Sequence, residues 1–322
     1  MKTKIIILVF ICITKICQSQ VDVGDGYFGH GSVGNLKDDD LERFKKTTTL
    51  FVVPNHEKDK LEEYRNAITP IWFFNPIDFI TEDEVATYRK KPGEYSYFLV
   101  DIFYAPYKSG LFYNFGYHLP YLHKGKKERV LKIAYIKLDI VYTPHQVKTS
   151  NYKETDKELM ELYNSCTVNN FTPAHMKCFL SFISSSLLSK TTHWIMQENY
   201  IIEEDKLWEK LSTDTLFIPS YVKNYILKGP KSSNIEVEKE LMKDYKFNYK
   251  FLNPAEFESR IVNCTKPCFV FNYLLDQANF FSIISPNSGQ MVYSNCIVKM
   301  KDNLNAKDFA KISKKIEKSI GK

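Results

Sequence analysis

One pattern of apolar runs occurs twice in this sequence, and it limits the folds open to the chain more than any other feature. Each copy has a Thr-Leu-Phe run that ends in proline, an aromatic run that contains Asn-Pro-x-acid-Phe, and a third apolar run. The runs are Thr47–Pro54, Ile71–Phe79 and Tyr95–Asp101 in the first copy, and Thr213–Pro219, Tyr249–Phe257 and Pro267–Asn272 in the second. Matching runs in the same order indicate an internal duplication.

Helical patterns separate the apolar runs and define the fold class. The polar stretches Glu57–Asn66 and Thr81–Lys90 lie between the runs of the first copy. Strands that alternate with helices favour crossover units around a mainly parallel sheet, and a continuously apolar run such as Leu50–Val53 is typical of a strand covered on both faces. Hairpin patterns follow the third run of each copy. The sequence therefore predicts an α/β fold: two tandem copies of a βαβαβ-type unit with antiparallel hairpin extensions, joined by a helical linker.

Shifts in composition divide the chain into six segments. They are a signal peptide at 1–20, a glycine-rich arm and short helix at 21–46, a first α/β repeat at 47–150, a helical linker at 151–211, a second α/β repeat at 212–300 and a basic amphipathic helix at 301–322. A chain of 322 residues is long enough for two units that each bury a core.

Two helical segments outside the copies have apolar faces that need a partner. Met176–Trp194 approaches the length of a membrane span, but its serines together with Lys177 and Lys190 favour a buried helix between the two copies. The segment 303–322 alternates apolar residues with lysines, and we expect it to pack on the second copy rather than on a membrane surface. No transmembrane span is predicted.

Met1–Gln20 has the layout of a secretory signal peptide, with early lysines, an apolar run and a small residue, Ser19, near its end. We expect cleavage after Gln20, and the segment is similar to the signal peptides of Gram-negative envelope proteins. The chain is therefore predicted to reach the periplasm or cell surface of a Gram-negative bacterium, or the extracellular space of a eukaryote. Cys17 raises the alternative of a lipid anchor, but Thr14–Ile16 lacks the small residues that a lipidation motif requires.

The segment Val21–Asn35 holds five of the 12 glycines of the chain. It spells Gly-x-Gly-x-x-Gly twice, a dinucleotide-binding pattern that needs a strand before it and a helix after it. No strand-like run precedes the pattern, so phosphate binding is the weaker alternative. We interpret the segment as a flexible arm whose rings, Tyr27 and Phe28, dock on a partner, and His30 as a solvated loop residue.

Cysteine spacing points to a structural rather than a redox or metal site. Cys264 and Cys268 flank Thr-Lys-Pro before an apolar run, close enough to form a disulfide in an oxidising compartment. Their spacing is not the Cys-x-x-Cys of redox enzymes, and a four-cysteine metal site needs a second such pair. The other cysteines beyond the signal peptide are Cys166, Cys178 and Cys296. This odd total leaves at least one thiol free, buried or paired with another chain.

Known catalytic motifs are missing from the sequence, which has no Gly-x-Ser-x-Gly elbow, no His-Glu-x-x-His and no Walker loop. His118 and His123 are spaced across a proline in a way that suits no metal site on a helix or strand. The acids within Asp78–Glu84, like Glu256 and Glu258, fit the start of a helix better than an acid–base pair. We predict no enzymatic activity, no cofactor and no metal.

Aromatic residues concentrate in the stretch 95–121, more than one inner face of a hairpin can bury. Exposed rings are typical of protein interfaces. The predicted partner-binding residues are Tyr27, Phe28, Tyr107, Tyr113 and Tyr117. No basic stripe interleaved with aromatic residues is present, which excludes a nucleic-acid surface of the usual kind.

These features favour a non-enzymatic secreted or periplasmic binding or scaffold protein, a subunit of a cell-envelope or outer-membrane-associated complex whose partner is another protein. The alternative from a different class is an exported hydrolase or small-ligand-binding protein with a site between the two repeats. The duplication itself distinguishes neither hypothesis, because it determines architecture rather than chemistry.

Overall fold

The computed structural model describes residues 20–26, 33–34, 36–105, 110–141, 161, 163–192, 205–225, 234–275, 279–297 and 304–321. The helices are α1 Asp38–Lys45, α2 Leu61–Ile68, α3 Val85–Tyr88, α4 Pro173–Ser189, α5 Asp205–Thr213, α6 Asn234–Met242, α7 Pro254–Val262 and α8 Ala306–Ser319. The strands of the first unit are β1 Val21–Val23, β2 Asp25–Gly26, β3 Val33–Gly34, β4 Thr48–Val53, β5 Ile77–Thr81, β6 Tyr95–Ala105, β7 Gly110–His123, β8 Lys127–Lys137 and β9 Ile140–Val141. The later strands are β10 Thr167–Val168, β11 Leu216–Pro219, β12 Tyr249–Leu252, β13 Phe269–Leu275, β14 Asn279–Ser285 and β15 Gln290–Ile297.

The two large sheets have the same strand order. The first runs β5-β4-β6-β7-β8-β1 and the second β12-β11-β13-β14-β15. In each, the first strand of the repeated unit, β4 or β11, lies between two parallel neighbours, and a meander of antiparallel strands extends the sheet on one side; β1 adds a sixth strand to the first sheet only. The predicted fold class is confirmed: mixed α/β, with two units consistent with tandem copies.

The alignment of the two units by sequence and their alignment by strand pairing are offset by one residue. Thr49 pairs with the first residue of β5, and Leu216 pairs with the first residue of β12, so Thr49 and Leu216 are equivalent. The Thr-Leu-Phe phrases instead align Leu50 with Leu216. Because strand side chains alternate between faces, this offset exchanges the two faces of the strand. Leu50 accordingly packs towards α3, and Phe217 rather than Leu216 packs towards α7.

The shared Asn-Pro-x-acid-Phe pattern predicts equivalent positions for Asn75 and Asn253, and this prediction is wrong. Asn75 precedes β5, and its Oδ1 accepts the Thr49 hydroxyl at 2.6 Å. Asn253 follows β12 and caps α7 through a bond from the Glu256 N–H at 2.9 Å. The run that precedes Asn75, from Ile71 to Phe74, is therefore not a strand.

The true counterpart of Asn253 is Thr81, the last residue of β5. Both residues begin a helical turn with a capping box, in which their own N–H donates to the carboxylate three residues later. The bond from Thr81 to Glu84 measures 2.8 Å and that from Asn253 to Glu256 measures 3.2 Å. Glu84 and Glu256 therefore have the capping role that the sequence favours for acids in these stretches.

Helix α4 lies between the sheets and joins the two units. Thr172 caps its first turn and Pro173 occupies the first helical position. Nearly every side chain of α4 is buried, and it contacts α2 and β1 of the first unit and α7, β14 and β15 of the second. The prediction of a buried helix between the copies is confirmed. Within the described ranges, no helix combines the length and the apolar character needed to cross a membrane.

The C-terminal helix α8 covers the second sheet. Its apolar stripe, Phe309, Ile312 and Ile316, is fully buried in a cluster with residues of β11, β13 and β14. Packing on the second copy is therefore confirmed for this amphipathic segment.

The glycine-rich arm begins as part of the first sheet. Val21 and Val23 are buried, and β1 pairs antiparallel with β8. The interpretation of the segment 21–35 as a flexible arm is therefore wrong at its start, where the chain forms an edge strand that covers β8. Tyr27, Phe28 and His30 lie outside the described residues.

Tyr117 is a core residue, and its predicted contact with a partner is wrong. Its ring is fully buried and stacks on Phe98 with centroids 4.3 Å apart. Its hydroxyl lies 2.6 Å from the Thr49 hydroxyl and accepts a bond from Asn75 Nδ2 at 3.2 Å. Tyr107 and the side chain of Tyr113 lie outside the described residues.

Replacing Tyr117 by Phe tests this assignment. We expect the free energy of unfolding to fall by about 1–2 kcal/mol, because the buried polar groups around the hydroxyl lose a partner. The measurement is urea unfolding. Tyr121→Phe, on the same strand and with no hydroxyl partner among the described residues, should change it by less than about 0.5 kcal/mol. Equal effects of the two changes would contradict the assignment.

Candidate functional site

A cavity of about 630 Å³ lies on the outer face of the first sheet, beside the carboxyl end of the central parallel strand β4. Ligands of open α/β sheets bind at the carboxyl ends of parallel strands, where crossovers leave in opposite directions. The residues that line the cavity are Val52, Asn55, Glu82, Val85, Ala86, Arg89, Leu99, Val100, Asp101 and Asn164. Most belong to the first unit, so this cavity does not lie between the two copies.

Unequal helices explain why a cavity forms on this sheet. Its outer face is covered near β4 by α3, which is only four residues long. The topologically equivalent face of the second sheet is turned towards α4 rather than outwards, and there α7 is nine residues long and packs with α4. Phe257 and Ile261 of α7 and Cys178 of α4 bury Phe217 there. The same topology is therefore filled in the second unit and open in the first.

One wall of the cavity is formed by the turns that follow β4 and β5. The backbone N–H of Asn55 donates to Glu82 Oε2 at 3.0 Å, and burial raises the pKa of Glu82. Asn55 Oδ1 is buried and has no hydrogen-bond partner among the described residues. Asn164, from the linker, lies with its Oδ1 3.2 Å from His56 Nδ1. This wall places the carboxylate of Glu82 and the side chains of Asn55 and Asn164 beside the cavity.

The opposite wall carries charges of both signs. Asp101 on β6 is ion-paired with Lys132 on β8. Arg89, just after α3, is exposed and makes no ion pair with any residue that the structure describes. Its guanidinium is therefore available to an anionic group, since an arginine fork matches a carboxylate or a phosphate.

His118 lies behind this wall, on the same sheet face. Its ring covers Gly116, where a Cβ atom would meet Nε2 at 2.1 Å, so only glycine leaves room for the imidazole. Gly116 pairs with Leu99, which lines the cavity. Nε2 is buried without a hydrogen-bond partner among the described residues, and burial lowers the pKa of His118 to about 4.

Sequence reasoning found part of this site and missed the rest. Glu82 and His118 were candidates, but for chemistry that the spacing did not support. The sequence does not indicate the other polar lining residues, Asn55, Arg89 and Asn164. They are far apart in the chain, and their residue types are common on any protein surface. The other candidates have structural roles: Asp78 accepts Arg65 at 2.9 Å, and Glu258 accepts the Ala174 N–H at 2.9 Å.

Cys264 and Cys268 lie together, away from the cavity. Both are free thiols, with their sulfurs 2.8 Å apart. The end of α7, just before the loop that carries them, is tied to α4 by Lys177, whose ammonium donates to the carbonyls of Ile261 and Val262 at 3.1 and 2.9 Å. A disulfide between the two cysteines stays a prediction.

Comparison with models of protein families, with curated proteins and with solved structures finds no match. The chemistry of the cavity is therefore the basis for assigning a function.

Acid should destabilise the protein through His118. Its folded pKa of about 4 lies below the ordinary value of 6.5, so the unfolded chain binds more protons between these limits. The contribution of neutral His118 to the free energy of unfolding is then fully present above pH 6.5. It decreases as the pH approaches 4, with a loss of about 2 kcal/mol at pH 4.5. His175, whose pKa burial lowers to about 3, adds to the loss in the same direction.

Urea unfolding at pH 7 and pH 4.5 measures this loss. His118→Phe keeps a ring over Gly116 but cannot be protonated, so the difference between the two pH values should shrink by about 2 kcal/mol. An unchanged difference would show that His118 is accessible to protons in the folded protein.

Proposed function

We propose that this protein is an exported, non-enzymatic binding protein whose first unit holds a small polar ligand. The observation that carries the proposal is the open cavity at the carboxyl end of β4, where Asn55 Oδ1 and the Arg89 guanidinium have no partner among the described residues. Its volume falls within the range of small-molecule sites, about 300–1,000 Å³. Export is supported by the signal-like sequence Met1–Gln20.

The lining indicates the kind of ligand. Val52, Val85 and Leu99 offer an apolar floor, while Glu82 and Asp101 supply acceptors for hydroxyl or ammonium groups. Arg89 supplies a donor fork for a carboxylate or phosphate. A molecule of modest size that carries an anionic group beside hydrogen-bond donors fits this arrangement, and an uncharged hydrocarbon does not.

The lining also favours binding over catalysis. Its ten described residues include no serine, threonine, cysteine or lysine, and the two carboxylates that could act as nucleophiles are already bound, Glu82 by the Asn55 N–H and Asp101 by Lys132. His118 lies behind the wall, and burial keeps it uncharged at neutral pH. The alternative of a hydrolase therefore has less support than a binding role.

A scaffold role in a cell-envelope or outer-membrane-associated complex is the second candidate. It is favoured by Leu122 and Val130, which lie at the tip of the β7–β8 hairpin and are each 48 % exposed. Two aliphatic side chains exposed together on a hairpin tip suit a protein contact. This surface replaces Tyr117 as the place where a partner protein would bind.

Native mass spectrometry of the protein purified from its own cells tests ligand binding. We expect an additional mass, released on denaturation, that corresponds to a small polar molecule. A double variant, Glu82→Gln with Arg89→Ala, should retain the ligand at least tenfold more weakly, because each charged hydrogen bond contributes about 1.5–3 kcal/mol.

Lys90→Ala is the matched control, since Lys90 is exposed beside Arg89 but does not line the cavity. It should leave the ligand bound. Loss of the additional mass in the control as well as in the double variant would show that binding is non-specific. A wild-type protein without any additional mass would contradict the proposal.

A further inference from the structure

The sequence around the predicted cleavage site fits a cut one residue earlier than the composition first suggests. Signal peptidases require small residues at the last and third-last positions of the signal peptide. Cleavage after Gln20 places Gln20 and Gln18 at these positions, whereas cleavage after Ser19 places Ser19 and Cys17 there. The second choice satisfies the rule and leaves Gln20 as the first residue of the exported chain.

The structure shows that Gln20 belongs to the folded protein. It is 1 % exposed, and its carbonyl accepts the Lys137 N–H at 2.9 Å, which continues the pairing of β1 with β8. A chain that began at Val21 would lose this bond. It would also place a charged ammonium at the buried edge of the sheet, where the loss of hydration is costly.

The side chain of Gln20 has no bonding role where it lies. Both its carboxamide nitrogen and its oxygen are buried without a hydrogen-bond partner among the described residues. A buried polar group without a hydrogen-bond partner destabilises the folded state, because it has lost its water and gained nothing in return. A free α-amine on Gln20 would add a charge to the same enclosed place. This buried position is therefore unfavourable for an N-terminal glutamine that keeps both its free α-amine and its carboxamide.

We propose that the exported chain begins at Gln20 and that this residue is cyclised to pyroglutamate. The α-amine of Gln20 attacks the side-chain Cδ, a new N–Cδ bond closes a lactam ring, and the Cδ–Nε2 bond breaks to release ammonia. No electrons are transferred and no co-reactant is consumed. The inference rests on the proposed export, since only cleavage exposes this amine.

Cyclisation removes two of the conflicts at this position. The lactam is uncharged, so no ammonium is buried, and the –NH2 group of the carboxamide leaves as ammonia, so that one ring N–H and one carbonyl oxygen remain. The backbone carbonyl of Gln20 is unchanged and still accepts from Lys137. The modified residue therefore remains paired at the start of β1. Because it has no free α-amine, aminopeptidases cannot remove it.

The test uses the full-length gene product recovered from the envelope or medium of the cells that export it. Intact mass and N-terminal sequencing are measured. We expect the mass of residues 20–322 less one ammonia, about 17 Da, and a chain blocked to sequencing. After denaturation, pyroglutamate aminopeptidase should remove the blocked residue and expose Val21, whereas the folded protein should resist it because Gln20 is buried.

Gln20→Ala is the control, because alanine cannot cyclise. The exported variant should be cleaved after Ser19 and should give an unblocked sequence that begins with the new residue. Wild-type chains that begin at Val21, or at Gln20 with a free amine, would overturn the inference while leaving export intact. A recovered chain that still begins at Met1 would overturn the proposed export and the inference with it.

Discussion

The packing of α4 between the two sheets is the interaction on which the rest of the structure depends. Its side chains Met176, Phe179 and Ile183 are fully buried in a cluster that also contains Ile284 and Met291 of the second sheet. Each large apolar side chain buried in this way stabilises the fold by about 1.5–3 kcal/mol. On these inner faces α4 packs beside α2 of the first unit and α7 of the second, so we expect the two units to unfold as one cooperative structure.

The shared helix also determines where a ligand can bind. With α4 and its neighbours filling the space between the sheets, any open face must lie outside. The outer face of the second sheet is covered by α5, α6 and α8. The outer face of the first has only the short α3 beside β4, and the cavity forms there. The two sheets are similar in topology, and unequal helices leave a face of the first one open.

The topology was predictable because it depends on the order of apolar runs, and that order survives in the sequence. The residue-by-residue alignment of the copies was not predictable. A continuously apolar run such as Leu50–Val53 shows which residues are buried but not which face of the sheet each side chain covers. The burial of Tyr117 was missed for a related reason. Its hydroxyl partners, Thr49 and Asn75, are distant in sequence and polar, and give no sign of a shared core position. The cavity likewise depends on the length of α3, which composition does not reveal.

Hydrogen exchange of the backbone amides measured by mass spectrometry tests the central role of α4 most directly. If both units depend on this helix, amides within 176–187 exchange only through global unfolding, with the same free energy as the central strands β4 and β13. The account predicts a single slow class that contains all three elements. Faster exchange in α4 than in either strand, or one unit opening while the other stays protected, would contradict it.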